Sequence, residues 1–212
     1  MHNPKAGDRE HGRKQLLKAL SKAGHQARYQ STREKGWKKA LRKETDLVVA
    51  AGGDGTVGKV ASQLVDTGIP LSVLPLGTAN NLARSLGFTN SVDEIIRGLE
   101  NGNKHALDVG VAQLPQTERY VFEGAGAGLL ADHVANADQK EKKKPKHASK
   151  EQEMTRHVSL LRRMLHDYPA RKWKIEIDGK SIADRYILWE AMNIRSVGPA
   201  LYLAPWATTK DG

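Results

Sequence analysis

Apolar residues along the first hundred positions follow two alternating rhythms. In RKQLLKALSKA, residues 13–23, Leu16, Leu17, Leu20 and Ala23 share one helical face, and Gly24 follows where a helix would end. After an extended stretch around HQARYQST, GWKKALRKE predicts a second basic helix leading into LVVAA, a β-branched apolar run that reads as a strand covered on both faces. Val57, Val60, Ala61, Leu64 and Val65 then restore the helical period, so this helix must pack back on the sheet. IPLSVLPL predicts a further strand, GTANNLARSLG a loop and helix, and VDEIIRGLENG another helix with Asp93 and Glu94 in its first turn. Strands alternating with helices predict an α/β lobe with a mainly parallel sheet.

The pattern changes near residue 105. HALDVGVAQL, RYVFEGAGAG, KWKIEIDGKSIADRYILWEAMN and ALYLAP alternate in strand fashion with few helices between them, and Asp178-Gly179 is a hairpin signal. A division into residues 1–104 and 105–212 is expected, the second part forming a mostly antiparallel lobe. Residues 138–153, DQKEKKKPKHASKEQE, read as a solvated loop, and RHVSLLRRMLHDY after them as an amphipathic helix.

Composition narrows the classes without choosing one. The 212 residues can bury a substantial core, and 39% hydrophobic with 27% charged residues suits a globular protein. No apolar run reaches membrane-span length, the N-terminus has no signal-peptide core, and cysteine is absent, so a cytoplasmic protein is the simplest expectation. A net charge of +10 favours anionic partners, which nucleotides, anionic lipid surfaces and nucleic acids all are. With aromatics at 5% and no stacking motif or zinc finger, nucleic acid is not the expected partner.

The chemistry concentrates where the first strong strand ends, in GGDGT. Glycines between a strand and a helix expose backbone N–H groups at a positive helix end, which favours phosphate. A side chain at Gly52, Gly53 or Gly55 would obstruct a polyphosphate, while Asp54 and Thr56 supply a carboxylate and a hydroxyl. The loop lacks the Gly-Lys-Ser/Thr ending of a P-loop and the spacing of a dinucleotide fingerprint. The competing reading is an ordinary strand-to-helix turn, and Gly77, Thr78 and Asn80 can likewise form only a turn and a helix cap.

GGDGT resembles the nucleotide loop of the superfamily containing diacylglycerol kinases, sphingosine kinases, NAD kinases and phosphofructokinases. PLGTANNLARSLG at 75–87 is similar to the second signature of diacylglycerol kinase catalytic domains, and NPKAG at 3–7, LDVG at 107–110, FEGAGAG at 122–128 and MNIRSVGPALYLAPWATTKDG at 192–212 fall in the same family order. That resemblance implies an N-terminal nucleotide-binding α/β lobe at 1–104 and a C-terminal β-sandwich substrate lobe at 105–212. It implies ATP bound by Asn3, Gly52, Gly53, Gly55, Thr56 and Thr78, and Mg2+ in an acidic network with Asp54 and Asp108, Asp54 also serving catalysis. Asp108 reads equally well as a structural carboxylate. The implied reaction is transfer of the ATP γ-phosphoryl group to a lipid hydroxyl, that of diacylglycerol or a related alcohol, at a membrane surface. An NAD kinase-like enzyme and a nucleotide- or lipid-binding protein without turnover are the alternatives. Relatives include homodimers, but nothing in the sequence marks an interface.

Three departures accompany the resemblance. Relatives often carry Asp where this chain has Asn81, a residue without a carboxylate charge. Only Met1 and His2 precede the Asn-Pro-Lys-Ala-Gly segment, so the first strand is expected to be missing. The sequence stops before the later acidic residue held to be the catalytic base, and the β-sandwich is therefore expected to be incomplete. Lys142, Lys143, Lys144 and Lys146 read either as a solvated loop or as a lipid-facing basic patch. The glycines of GAGAG read as packing and turn residues, Asp211 as a solvated terminal residue, and no histidine pair has zinc-ligand spacing.

Overall fold

The computed structural model describes residues 1–7, 11–141, 150–198 and 201–210. The lysines at 142, 143, 144 and 146 and Asp211 lie outside the described residues. Among those described, the chain forms two compact units, one of Met1–Glu123 with Met192–Gly212 and the other of Gly124–Ala191.

The first unit is built on β1 (Val48–Gly52) and β2 (Leu71–Pro75), which pair in parallel with Ala50 opposite Val73. Side chains alternate across a strand, and here both faces are covered. Val48, Ala50 and Val73 join Val57 and Val60 of α2 (Asp54–Ala61) and Leu82 of α3 (Asn81–Ser85) in one core. Ala51 and Leu74 join Leu16 of α1 (Arg13–Lys22) and Ile95 and Ile96 of α4 (Val92–Arg97) in the other. A capping box fixes the start of α4: the Ser91 hydroxyl accepts from the Glu94 amide, and the Glu94 carboxylate accepts from the Ser91 amide. GWKKALRKE, expected as a basic helix, forms a 3-10 helix at Trp37–Arg42.

The place ahead of Asn3 is not empty. His2 bridges in parallel to Ala51 on one side and Ser31 on the other, and the Asn3 amide donates to the Ala51 carbonyl at 3.0 Å. Met1–Asn3 thus continue the parallel order beyond β1 with very few residues. Antiparallel β3 (Gly110–Leu114) and β4 (Thr117–Val121), and the short pair β9 (Ser196–Val197) with β10 (Leu201–Tyr202), complete this unit. Phe122 and Ile194 enter the α2 side of its core.

In the second unit β5 (Gly124–Gly128) pairs with β8 (Leu188–Met192), and β6 (Arg171–Ile177) forms an antiparallel hairpin with β7 (Lys180–Tyr186). Asp178 and Gly179 turn that hairpin with φ of 50° and 75°, the double left-handed geometry that the Asp-Gly signal predicts. The GAGAG glycines permit close backbone approach: a Cβ on Gly126 would come within 2.2 Å of the Trp189 carbonyl oxygen. The main difference from expectation is helical. α5 (Leu129–Glu141) and α6 (Lys150–Asp167) extend into the segment read as a loop, which at 138–141 and 150–153 is helix. Lysine and glutamate are good helix formers, and their charge density conceals that propensity.

Candidate functional site

Three chain segments converge where the parallel strands end. β1 runs into Gly52-Gly53-Asp54-Gly55-Thr56, β2 into Leu76-Gly77-Thr78-Ala79-Asn80, and the Met1–Asn3 segment into Pro4-Lys5-Ala6-Gly7. The carboxyl edge of parallel strands is where open α/β sheets bind ligands. Backbone contacts hold the loops together: a Cβ on Gly77 would lie 2.4 Å from Gly53 Cα, and one on Gly7, at φ +73°, 3.1 Å from the Leu76 carbonyl oxygen. Gly53 and Gly77 are therefore glycines because two backbones touch there.

The second loop is folded by its own asparagine. Asn80 adopts φ 49°, a left-handed conformation that asparagine tolerates, and its side chain accepts from the Gly77 amide at 2.8 Å while donating to the Gly77 carbonyl at 2.9 Å. Asn81 then begins α3.

Around the first loop the expected residues take different parts. Gly52 leaves no room for a side chain, since an added Cβ would strike Thr56 Cβ at 2.6 Å, and Thr56 itself is buried. Gly55 is exposed, with nothing within 4 Å of an added Cβ. No side chain caps the N-terminus of α2, at whose start Gly53 sits. An anion with several oxygens suits a helix start of this kind, where backbone N–H groups and the helix dipole point outward together.

Asp54 is fixed from the first turn of α3, just beyond the second loop, its Oδ1 accepting the Leu82 amide at 3.0 Å. Thr78 is exposed, and Asn3 closes its own turn by accepting from the Lys5 amide at 3.2 Å. Asp108 lies just before β3, its amide donating to the Thr209 carbonyl at 2.9 Å and its carbonyl accepting from Asn193 Nδ2 at 2.8 Å. The Asn193 amide donates in turn to the Glu123 carbonyl at 2.8 Å, tying the Asp108 and Glu123 segments together.

Glu123 is the residue that sequence reasoning passed over. Asn81, 5% exposed, donates from Nδ2 to Glu123 Oε2 at 3.4 Å and accepts on Oδ1 from an Arg84 guanidinium nitrogen at 2.9 Å. Burial, and then the charge of Asp54, push the Glu123 carboxyl above the usual carboxylate range, while the Asn81 hydrogen bond opposes them. FEGAGAG reads as strand and turn, and the contact with Asn81 spans 42 positions, so no local pattern announces it.

Among the described residues no three acidic or histidine side chains gather as a ready metal cage. The charge of Asp54 acts on Glu123, and one or two carboxylates are what Mg2+ asks of a protein when waters and substrate phosphates complete its shell. Beside Arg84, Arg195, Tyr202, Thr208 and Thr209 help line a shallow cavity of about 340 Å³ with two guanidinium groups.

The structure is similar over its whole length to a crystal structure of a putative diacylglycerol kinase from Bacillus anthracis, with a TM-score of 0.71, 23% identity and 70% of that chain covered, a likeness of fold. In sequence the chain is 29% identical to the diacylglycerol kinase of Bacillus subtilis over its full length and 70% of that protein's. It is 28% identical to the diacylglycerol kinase of Mycobacterium tuberculosis over 82% of this chain, which spans 54% of that protein's length. The family model of the diacylglycerol kinase catalytic domain matches residues 1–112, more than half of the 212, and the chain belongs to that family.

Proposed function

We propose that this chain is the catalytic portion of an ATP-dependent lipid kinase, transferring the γ-phosphoryl group to the hydroxyl of diacylglycerol or a related lipid alcohol. The observation that carries this reading is the uncapped N-terminus of α2, set between glycine loops and bearing Asp54, in a chain of a family that uses ATP. Gly52, Gly53, Gly55 and Thr56 form the phosphate-facing loop, with Asn3 and Thr78 at its margins. Asp54 and Asp108 are the residues assigned to Mg2+, which when bound offsets charge on the phosphate oxygens.

The lipid hydroxyl oxygen bonds to the γ-phosphorus as the bond from that phosphorus to the ADP oxygen breaks, and the hydroxyl proton is released to solvent. Little covalent chemistry is asked of the protein, so holding the phosphates and neutralising charge supply most of the rate. Residues 1–104 take the nucleotide in this proposal, and residues 105–212 contribute the antiparallel strands of a β-sandwich on the substrate side. No helix among the described residues is long and apolar enough to cross a membrane, and contact with the lipid is proposed to be peripheral.

The test is transfer of γ-labelled ATP, with Mg2+, to mixed micelles of lipid alcohols and to NAD, followed by phase separation. Label in the organic phase supports the proposal. Label on NAD replaces it with the soluble-substrate kinase. ATP binding without transfer makes the chain a nucleotide-binding protein, a reading to which the uncharged Asn81 lends weight.

A further inference from the structure

We infer that Glu123 is a further acidic group of the phosphoryl-transfer site, additional to Asp54 and Asp108, held by Asn81 beside Asp54 and supplying a negative charge that the neutral amide at 81 cannot. The inference deepens the kinase reading and rests on it.

Its geometry comes from two consecutive residues. Asn81 holds Glu123 Oε2 through its side-chain amide at 3.4 Å, and Leu82 holds Asp54 Oδ1 through its backbone amide at 3.0 Å. Both carboxylates are thereby gathered at the start of α3, although residues 54 and 123 are far apart in sequence.

The amide at 81 is what makes the arrangement compatible. Its oxygen accepts from Arg84 at 2.9 Å, which leaves the nitrogen to donate to Glu123. An aspartate at 81 would keep the Arg84 contact but set a like charge against Glu123, a repulsion that the amide avoids. In this chain the negative charge therefore sits on Glu123, and Asn81 is the neutral partner that holds it.

Glu123 is also placed rigidly. Its carbonyl accepts from the amides of Asn193 and Ile194, at 2.8 and 3.2 Å, and its neighbours Phe122 and Ile194 are core residues. A carboxylate this constrained, close to a second one, is costly unless a cation arrives. Mg2+ held by one or two carboxylates and completed by phosphate oxygens is such a cation.

The experiment is a titration of the full chain with Mn2+ and ATP followed by electron paramagnetic resonance, for the wild type, Glu123→Gln, Asp54→Ala and the exchange Asn81→Asp with Glu123→Gln. Glu123→Gln keeps the shape and an acceptor oxygen, and its thermal midpoint shows that the fold is kept. The expected result is a fall in Mn2+ affinity of about tenfold or more in Glu123→Gln, with recovery when Asp is placed at 81. Wild-type affinity in Glu123→Gln, alongside loss in Asp54→Ala, overturns the role of Glu123 and leaves the kinase reading standing. A folded exchange variant as weak as Glu123→Gln overturns the claim that one carboxylate stands in for the other. A wild-type chain that binds no Mn2+ with ATP overturns both.

Discussion

Asp54 and Leu82 join the two glycine loops: the Asp54 carboxylate on the first accepts the backbone amide of Leu82 just beyond the second, at 3.0 Å. The same side chain is proposed to face the bound metal, so one residue has a structural and a chemical part. Substitution separates them. Asp54→Asn keeps the oxygen that accepts from Leu82, and its thermal midpoint is expected to stay near that of the wild type. Asp54→Ala removes it and is expected to cost about 1.5–3 kcal/mol, the range for a hydrogen bond to a charged group. Both variants lose the charge, and phosphoryl transfer from labelled ATP is expected to fall on the order of a hundredfold or more in each. A fully active Asp54→Asn would remove the carboxylate from the chemistry.

The contact between Gly53 and Gly77 makes a second prediction. A methyl group on Gly77 would stand 2.4 Å from Gly53 Cα, a backbone atom that cannot swing aside. Gly77→Ala is expected to lose about 1–3 kcal/mol in denaturant unfolding. Gly55→Ala meets nothing within 4 Å and lies inside the first turn of α2, so its stability is expected to hold or rise slightly. Its methyl group would instead occupy space proposed for phosphate, and weaker ATP binding at unchanged stability is the outcome to measure. Unchanged ATP affinity would move the phosphate away from Gly55.

The parts of this arrangement that were legible in the sequence are those written in neighbouring residues. Val48, Ala50 and Val73 on one core and Ala51 and Leu74 on the other follow from uninterrupted apolar runs, and the glycines of GGDGT from the need for close approach. Asp178-Gly179 fixed its hairpin by chemistry alone. Less legible was α5, whose buried Leu129 and Leu130 are adjacent rather than spaced by a helical turn, so the period never declares itself. Glu123 was invisible for a different reason: its meaning depends on Asn81, and only the folded chain brings the two together. That residue 81 is an uncharged asparagine was readable, but its contact with Glu123 was not.

A last prediction concerns acid sensitivity in the second unit. His133 of α5 and His157 of α6 meet edge to face with ring centroids 5.6 Å apart, and His133 Nε2 lies 3.5 Å from His157 Nδ1. One ring must donate and the other accept, which two protonated rings cannot do. His133 Nδ1 is buried without a hydrogen-bond partner, and burial first, then the neighbouring His157, lower the His133 pKa below its ordinary 6.5. The folded state thus takes up the proton less readily than the unfolded state. The stabilisation from a neutral His133 is complete above 6.5 and is lost as pH falls through that value toward the lower folded pKa. Urea unfolding of the wild type between about pH 5 and pH 8 is expected to show a midpoint that drops on the acid side. His133→Phe keeps an aromatic ring against α6 but has no proton to gain, so its midpoint should depend less on pH over the same range. Equal slopes for the two proteins would place the acid sensitivity elsewhere in the chain.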